Sequence, residues 1–358
     1  MRTATGGAIT DREVLVVGGG VAGVSLLYAL SSRGVAATLI DTGLVGTRGA
    51  SAIPYALLNP HRGRTGRARP LDLAGLEAFW RWRDQLESTG LDTGAHRSGV
   101  LRVASSSRQR ALWSRLAGPT PLEAADFPET VRAKFGGMLV PDGGWLEPRR
   151  WLGALSQASV AAGAVIAEGV ELLSLSSAGR QVAVTSGGVM TAQHVVLCLG
   201  AYDASRLRLP RLELAAGLAV TMTLPEEAHA GTGAQTSTAT DEVTAARMRP
   251  LAGSIGIVFS GRQVVLSGAA HSGDDADVER LRSSAAWFVP ELVTASVTSV
   301  WRGVRARRPS GVPVVRELRR GLTLFGGLGG RGFLCSALLA ETLAERLAER
   351  SVIRSARQ

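Results

Sequence analysis

Lysine is almost absent from this chain of 358 residues, because Lys134 is the only lysine among 40 basic residues. Arginine therefore supplies nearly all of the formal net charge of +10. A basic protein attracts polyanions through its summed electrostatic field. Nucleic acid is thus a permitted partner, although composition alone does not demonstrate one.

Cysteine is also scarce, since Cys198 and Cys335 are the only two and neither stands at a metal-ligand spacing. Both lie in apolar runs, so we predict buried, inert thiols, no disulfide framework and no metal centre. Long hydrophobic runs are missing too. The most apolar stretch, Val14–Leu30, is interrupted by glycines and is shorter than the roughly 20 residues of a membrane span. The first residues carry acids and no apolar signal segment, so we expect a cytoplasmic protein with no membrane partner.

The clearest pattern in the chain is the stretch Val14–Asp41. It begins with a short apolar run that predicts a buried strand, and an amphipathic segment from Val21 to about Arg33 predicts a helix. Ala36–Ile40 then predicts a second strand. This order of strand, helix and strand indicates a complete βαβ unit.

Three glycines stand in G-x-G-x-x-G spacing between the first strand and the helix: Gly18, Gly20 and Gly23. The first permits a tight turn, the second lets a pyrophosphate approach the backbone, and the third lets the helix pack on the strand. The helix N-terminus directs N–H groups and the positive end of its dipole at the phosphates. Asp41 ends the second strand, where it would accept hydrogen bonds from a ribose hydroxyl. The motif does not choose between FAD and NAD, but an acid at this position argues against NADP.

The loop Thr42–Arg69 is polar and glycine-rich, and loops of this length within a domain are usually functional. Gly49, Ala50 and Ser51 form a small-residue turn that could start a helix, and the Ser51 hydroxyl could bind a phosphate or a ring carbonyl. Four arginines follow, namely Arg62, Arg64, Arg67 and Arg69. They fit either a solvated surface loop or the phosphate-contacting rim of a pocket.

The rest of the chain alternates between helical and strand-like patterns. The predicted helices are Leu71–Glu87, Ser105–Leu116, Trp145–Ala162, Asp274–Ala286 and Gly332–Arg350. The predicted strands are Val100–Val103, Ala164–Glu168, Val170–Leu175, Gln181–Thr185, His194–Leu199, Arg211–Leu224, Ile255–Ser267, Thr294–Arg308 and Gly321–Phe325. We expect Pro225–Thr240 to be a mobile loop. The strand that ends at Gly200 and Ala201 has the apolar character of a buried parallel strand whose carboxyl end lies near a cofactor.

Two further blocks join the first glycine motif. One is Gly49–Ser51 leading to Ala56–Pro60, and the other is Trp301–Arg305 followed by Gly326–Phe333. With the first motif, these blocks resemble the FAD-dependent D-amino-acid-oxidase-like family, which includes glycine oxidase and sarcosine oxidase. Within that family they look most like the oxidase domain of its bifunctional members that modify wobble uridine in tRNA. The resemblance extends over nearly the whole chain.

The resemblance implies an α/β fold with a Rossmann-like FAD-binding domain of the glutathione-reductase type and a second, antiparallel-sheet substrate domain. The implied FAD domain is discontinuous and consists of residues 11–70, 144–205 and 300–350. The implied substrate domain consists of residues 71–143 and 206–299, and the termini 1–10 and 351–358 are expected to be flexible.

The resemblance also implies roles for individual residues. Arg305 occupies the place of the arginine that binds the substrate carboxylate in glycine oxidase and its relatives, and Arg331 the second family arginine, close to flavin and substrate. No cysteine stands where the sarcosine oxidases attach flavin, so FAD is expected to be non-covalent. The expected cofactor contacts are Gly18, Gly20, Val21, Ala22, Gly23, Asp41, Thr42, Gly49, Ala50, Ser51, Val170, Gly200, Ala201, Gly303, Gly329, Gly330, Arg331, Gly332 and Phe333. One departure is Ala216-Gly217-Leu218, which replaces an Arg-Gly-Gln of relatives and removes a polar contact near the flavin.

The implied reaction is oxidation of the C–N bond of an amine next to a carboxylate, with dioxygen as the simplest electron acceptor and hydrogen peroxide as its product. Two substrate classes stay open. One is carboxymethylaminomethyl uridine presented on tRNA, which would release glyoxylate. The other is a free small amine such as glycine, sarcosine or a D-amino acid. The same active-site residues serve both, so the sequence does not separate them.

Overall fold

The computed structural model describes residues 10–201, 212–225, 249–271 and 274–355. The predicted mobile loop Pro225–Thr240 lies outside these ranges except for its first residue, as do residues 1–9 and 356–358 of the termini. The helices are α1 Val21–Ser31, α2 Pro70–Ser88, α3 Ser107–Trp113, α4 Pro148–Ala161, α5 Asp275–Phe288 and α6 Gly332–Ser355. The strands are β1 Thr10–Val17, β2 Ala37–Asp41, β3 Ala56–Leu58, β4 Ala95–His96, β5 Val100–Val103, β6 Thr120–Leu122, β7 Gly137–Val140, β8 Gly144–Leu146, β9 Val165–Glu168, β10 Leu172–Ala178, β11 Arg180–Thr185, β12 Gly188–Leu197, β13 Glu213–Thr223, β14 Leu251–Ala252, β15 Gly256–Ser260, β16 Gln263–Ala269, β17 Ser296–Arg307, β18 Val314–Arg319 and β19 Leu322–Gly326.

The first sheet has the order β10-β11-β12-β1-β2-β9, and β19 and β18 extend it from the second half of β12. Its centre is parallel, since β1 pairs in parallel with both β2 and β12, while β9 and β19 continue the parallel set on either side. The carboxyl ends of these five strands therefore meet at one edge. In such sheets ligands bind at that edge.

Alternation along β1 explains why this sheet is covered on both faces. Val14 and Val16 belong to a core shared with α1, α2 and α6, whereas Leu15 and Val17 belong to a second core with residues of β11, β12 and β19. Successive side chains of a strand point to opposite faces, so an uninterrupted apolar run is what a doubly covered strand requires.

The second sheet is largely antiparallel and has the order β17-β13-β16-β15-β14-β5-β7-β6, with α5 packed against its core. A small third sheet joins β3, β8 and β4. The mixed α/β fold with a second antiparallel sheet confirms the predicted fold class. Residues 296–307 pair with β13, so the start of the predicted FAD segment at residue 300 lies on the second sheet.

Several predicted elements were wrong in their bounds, and for two of them the difference changes the type or the number of elements. The helix predicted from Trp145 begins at Pro148, because Gly144–Leu146 is extended and pairs with β3 and β4. Proline suits the first helical position, where no backbone donor is needed. The segment predicted as one strand over Ile255–Ser267 is a hairpin of β15 and β16 that turns at Gly261, whose φ is +57°.

The predicted strand Val170–Leu175 begins two residues late, at Leu172. Val170 lies in the preceding connection, where its N–H donates to the Asp41 carbonyl at 2.9 Å. In contrast, the predicted helix Leu71–Glu87 is confirmed, since α2 exceeds it by one residue at each end. Within the described ranges, no helix has the length and apolar character needed to cross a membrane.

Candidate active site

A cavity of about 990 Å³ lies between the carboxyl edge of the first sheet and the facing side of the second. The first sheet contributes the turns after β1, β2, β9, β12 and β19, and the second contributes residues of β13, β15, β16 and β17. The topology thus brings segments from the beginning, middle and end of the chain to one space. A volume of this size suits a large cofactor together with a small substrate group.

One end of the cavity is organised by the Asp41 carboxylate. Its Oδ2 accepts a hydrogen bond from the Gly19 N–H at 2.6 Å, and its Oδ1 accepts one from the Gly43 N–H at 2.7 Å. The acid therefore ties the glycine turn after β1 to the end of β2, and a carboxylate retains lone pairs for a ribose hydroxyl. Arg48 lines the same end, with its Nη1 3.4 Å from the Thr42 hydroxyl.

The glycine turn is close-packed. A Cβ at Gly18 would overlap the Cys198 carbonyl oxygen, and the backbone there has a φ of +112°, which L residues rarely adopt. A Cβ at Gly20 would come within 3.1 Å of the Ser51 Oγ. That hydroxyl accepts a hydrogen bond from the Val21 N–H at 2.9 Å, at the first turn of α1. The α1 N-terminus is thereby held against the cavity with its positive end directed inward.

The opposite end is formed by the turn Gly329–Arg331 and the N-terminus of the 24-residue helix α6. Gly329, Gly330, Gly332 and Phe333 line the cavity there. The positive end of a second helix dipole thus meets the same cavity, which favours an anionic or electron-rich group beside it.

Arg305 lies at this second end, on β17 opposite Ala215 of β13. Its guanidinium lies across the neighbouring strand: a Cβ at Gly217 would come within 3.0 Å of Nη2. Burial, and after it the charge of Arg307, lowers the pKa of Arg305. No hydrogen bond or ion pair of this guanidinium occurs among the described residues. A half-buried cation with no acid partner is a ready site for a ligand carboxylate.

Arg331 differs from Arg305 in its surroundings. Its Nε lies 2.8 Å from Asp72 Oδ1, and its Nη1 donates to the Gly311 carbonyl at 2.5 Å. The Asp72 side chain is 3% exposed, so this ion pair is largely removed from water. Arg331 lies beside the cavity and is not part of its lining. Its guanidinium links α2 to the turn before α6.

Two further arginines line the cavity, namely Arg62, which is one of the four loop arginines considered above as a pocket rim, and Arg102, which the sequence did not single out. Arg62 comes from the loop after β3, and its Nη1 donates to the Gly330 carbonyl at 2.8 Å. Arg102 comes from β5 and is 4% exposed. The neighbours Arg64, Arg67 and Arg69 are exposed, so only the first of the four loop arginines enters the cavity.

Most of the predicted site residues come together. The cavity is lined by Gly18, Gly20, Val21, Ala22, Asp41, Thr42, Gly49, Ala50, Ser51, Val170, Gly200, Ala201, Arg305, Gly329, Gly330, Gly332 and Phe333. Gly23, Gly303 and Arg331 lie outside the lining. A Cβ at Gly23 would overlap the Gly18 carbonyl oxygen, and one at Gly303 would overlap the Trp301 ring. These two glycines therefore serve close packing.

The prediction of buried thiols is confirmed, since Cys198 and Cys335 are both free and buried. Burial raises the pKa of the Cys198 thiol. Burial, followed by the charge of Asp72, raises the pKa of Cys335 to about 12. Neither is a thiolate near neutral pH, as a covalent attachment to flavin would require. Within the described ranges, no group of three His, Cys, Asp or Glu side chains could hold a metal ion.

The fold and the cavity define a dinucleotide-binding protein with a second sheet closing over the reactive end of the ligand. The model of the DAO family, described as FAD dependent oxidoreductase, matches residues 13–346. The chain belongs to this family. It is therefore an FAD-dependent oxidoreductase.

Individual relatives agree with that assignment. The chain is 30% identical over 346 residues to the tRNA 5-methylaminomethyl-2-thiouridine biosynthesis bifunctional protein MnmC of Maricaulis maris (strain MCS10), covering 94% of this chain and 52% of that protein. It is 26% identical over 351 residues to glycine oxidase of Geobacillus kaustophilus (strain HTA426), covering 91% and 90%. The crystal structure of glycine oxidase from Geobacillus kaustophilus has a TM-score of 0.78 at 23% identity, with 95% of each chain covered. The chain thus spans about half the length of the first relative.

The residues present fit FAD. Gly18 and Gly20 have no side chains, so a pyrophosphate can approach the backbone of this turn closely. The Asp41 carboxylate can accept a hydrogen bond from the ribose. Two helix N-termini meet the cavity, one at each end. FAD would accordingly lie with its adenosine at Asp41 and its flavin toward Gly329–Phe333.

The Asp72–Arg331 pair gives a first prediction. Replacement of either partner, by Asp72→Asn or Arg331→Met, is expected to lower the free energy of unfolding by about 3 kcal/mol, because it leaves a buried charge unpaired. Removal of both is expected to cost less than the sum of the two single losses. The measurement is denaturant unfolding of the holoprotein.

The matched control is the exposed pair Arg33–Glu345, whose removal is expected to cost less than about 1 kcal/mol. A role of Arg331 in substrate binding would give a different result. In that case Arg331→Met would raise KM for the amine substrate while Asp72→Asn left KM near that of the unmodified protein.

Proposed function

We propose that the chain oxidises the secondary amine of carboxymethylaminomethyl uridine in tRNA and releases the carboxymethyl group as glyoxylate. The observation that carries the proposal is the Arg305 guanidinium, which is half-buried at the second end of the cavity and has no acid partner among the described residues. Such a group suits a substrate whose carboxylate is one carbon away from the amine nitrogen.

The chain's own residues would supply position and charge. FAD, when bound, accepts a hydride from the carbon between the amine and the carboxylate. Arg305 would bind the carboxylate through two N–H donors and so fix that carbon. The positive charges of Arg305 and Arg62, with the N-terminus of α6, favour the unprotonated amine, since like charges disfavour the ammonium form. Water then adds to the resulting imine carbon, and cleavage of the C–N bond gives aminomethyl uridine and glyoxylate.

A basic rim supports tRNA as the carrier of this amine. Arg64, Arg67 and Arg69 directly follow the cavity residue Gly63, and their exposed guanidiniums form no ion pair with any described residue. Exposed cations of this kind bind phosphates without reading bases. The similarity to the tRNA-modifying relative of Maricaulis maris supports the same substrate. A tRNA substrate would place the reaction in the cytoplasm. Independently of the substrate, we propose dioxygen as the electron acceptor.

We further propose that the two large sheets mark two domains. The first sheet would belong to the cofactor domain, and the second would belong to the substrate domain that carries Arg305.

The second candidate function is oxidation of a free small amino acid such as glycine, sarcosine or a D-amino acid. It is favoured by the match to glycine oxidase over 90% of that enzyme's length.

The experiment treats tRNA that carries carboxymethylaminomethyl uridine with the purified holoprotein and identifies the nucleosides by mass spectrometry. We expect conversion to aminomethyl uridine with one glyoxylate per nucleoside. Unchanged nucleoside, together with peroxide formation from a free amino acid, would favour the second candidate.

Neutralising the rim gives a matched comparison. Replacement of Arg64, Arg67 and Arg69 by glutamine is expected to raise KM for tRNA about tenfold at low salt. The same change at the exposed Arg316, Arg319 and Arg320, which lie on or next to β18, is expected to leave KM within about twofold.

A further inference from the structure

Arg62, in the loop after β3, and Arg305, on β17, meet at the same glycine. A Cβ at Gly330 would come within 2.7 Å of Arg62 Nη2 and within 3.5 Å of Arg305 Nη1. Both arginines line the cavity. Since Arg62 Nη1 is already bonded to the Gly330 carbonyl at 2.8 Å, the rest of its guanidinium is available for a ligand.

The surroundings of Gly330 carry an excess of positive charge. Three guanidiniums lie there, those of Arg62, Arg305 and Arg331, and the adjoining carboxylate, Asp72, is paired with Arg331. No acid among the described residues forms an ion pair with either of the other two. Burial, and after it the charge of Arg331, lowers the pKa of Arg62. An anionic ligand would relieve this repulsion, because an opposite charge stabilises both cations.

Arg102 holds the backbone on both sides of Arg62. Its Nη1 donates to the His61 carbonyl at 2.6 Å, and its Nη2 donates to the Gly63 carbonyl at 2.8 Å. The guanidinium also lies over the Trp113 ring, 4.4 Å from its centre. A guanidinium that is stacked on an aromatic ring and hydrogen-bonded at two nitrogens holds its partners rigidly. The loop position of Arg62 is thus fixed from β5.

We propose that Arg62 is a second residue that binds the substrate carboxylate, together with Arg305, and that Arg102 is a positioning residue that acts through Arg62. The carboxylate would lie beside Gly330 and accept hydrogen bonds from both guanidiniums. The inference rests on the proposed function only in requiring a substrate with a carboxylate. It applies equally to a tRNA-borne and to a free amine.

The test measures binding of N-acetylglycine to the holoprotein by titration calorimetry, because this probe has the carboxymethyl group on a nitrogen that is not an amine. Arg62→Met is expected to raise Kd about tenfold, as loss of a charge-assisted hydrogen bond does. Arg62→Lys, which retains the charge, is expected to give an intermediate Kd. The matched control Arg108→Met removes an exposed arginine of α3 and is expected to leave Kd unchanged. An unchanged Kd in Arg62→Met would overturn the proposal.

The positioning role is tested by a double-mutant cycle with the same probe. Arg102→Met is expected to raise Kd about threefold when Arg62 is present and to have no effect in the Arg62→Met background. An equal effect in both backgrounds would show that Arg102 acts on the fold and not through Arg62. Because N-acetylglycine replaces tRNA, the outcome is independent of the nucleoside assay: tRNA can fail as a substrate while both arginine effects are observed.

Discussion

Arg305→Met is expected to lower kcat/KM for a carboxymethyl amine by about a thousandfold, because about 4 kcal/mol of charge-assisted hydrogen bonding to the carboxylate is lost. The loss should appear in both kcat and KM, since the same contact binds the substrate and fixes its reacting carbon. Steady-state peroxide release from the FAD-loaded protein measures it. The kcat/KM of Arg305→Lys is expected to be about tenfold higher than that of Arg305→Met, because an ammonium supplies charge without the planar geometry of a guanidinium.

The control for this prediction lies on the same strand. Arg302 is separated from Arg305 by an odd number of positions on β17, so the two side chains leave opposite faces of the sheet. Arg302→Met is therefore expected to keep kcat/KM within about twofold. The assignment of the carboxylate site would be contradicted if Arg305→Met kept kcat/KM within threefold of the unmodified protein.

Gly23→Ala is expected to give a protein that purifies without FAD. The added methyl would overlap the Gly18 carbonyl oxygen, so α1 and the turn after β1 must separate. That separation withdraws the helix N-terminus from the pyrophosphate. We expect an FAD affinity at least about a hundredfold lower and a loss of about 3 kcal/mol in the free energy of unfolding. The visible flavin spectrum and denaturant unfolding measure the two effects.

Gly153→Ala is the control for this substitution. A Cβ at Gly153 meets nothing within 4 Å in the middle of α4, so the change is expected to stabilise the protein by about 0.5 kcal/mol. A Gly23→Ala protein that binds FAD as the unmodified protein does would show that this glycine has no role in packing.

The part of the site that residue spacing alone predicted is local in the chain, whereas the distant site residues were implied by the resemblance. The glycine spacing, the helix and Asp41 lie within one βαβ unit, and the geometry of that unit follows from its connections. Pairing between distant segments is different. Two examples are the pairing of β17 with β13 and the pairing of Trp145 with β3 and β4. Both depend on which strands meet in three dimensions. Apolar patterns do not carry that information.

The sequence also could not predict which arginines are available to bind a ligand. Arg62, Arg64, Arg67 and Arg69 are the same residue type within one loop. The backbone on both sides of Arg62 is held by Arg102, which the sequence does not reveal. The resemblance implies a substrate role for Arg331, but it does not reveal that Asp72 lies beside this guanidinium. Whether an arginine is available for a ligand therefore depends on partners that are distant in the chain.

A crystal structure of the FAD-loaded protein with N-acetylglycine would locate both ligands in the cavity. We expect adenosine ribose on the Asp41 carboxylate at one end of the cavity and the probe carboxylate between Arg305 and Arg62 at the other. A probe carboxylate bound at Arg331, at the exposed rim or beside Arg48, with Arg305 left without a contact, would contradict this expectation.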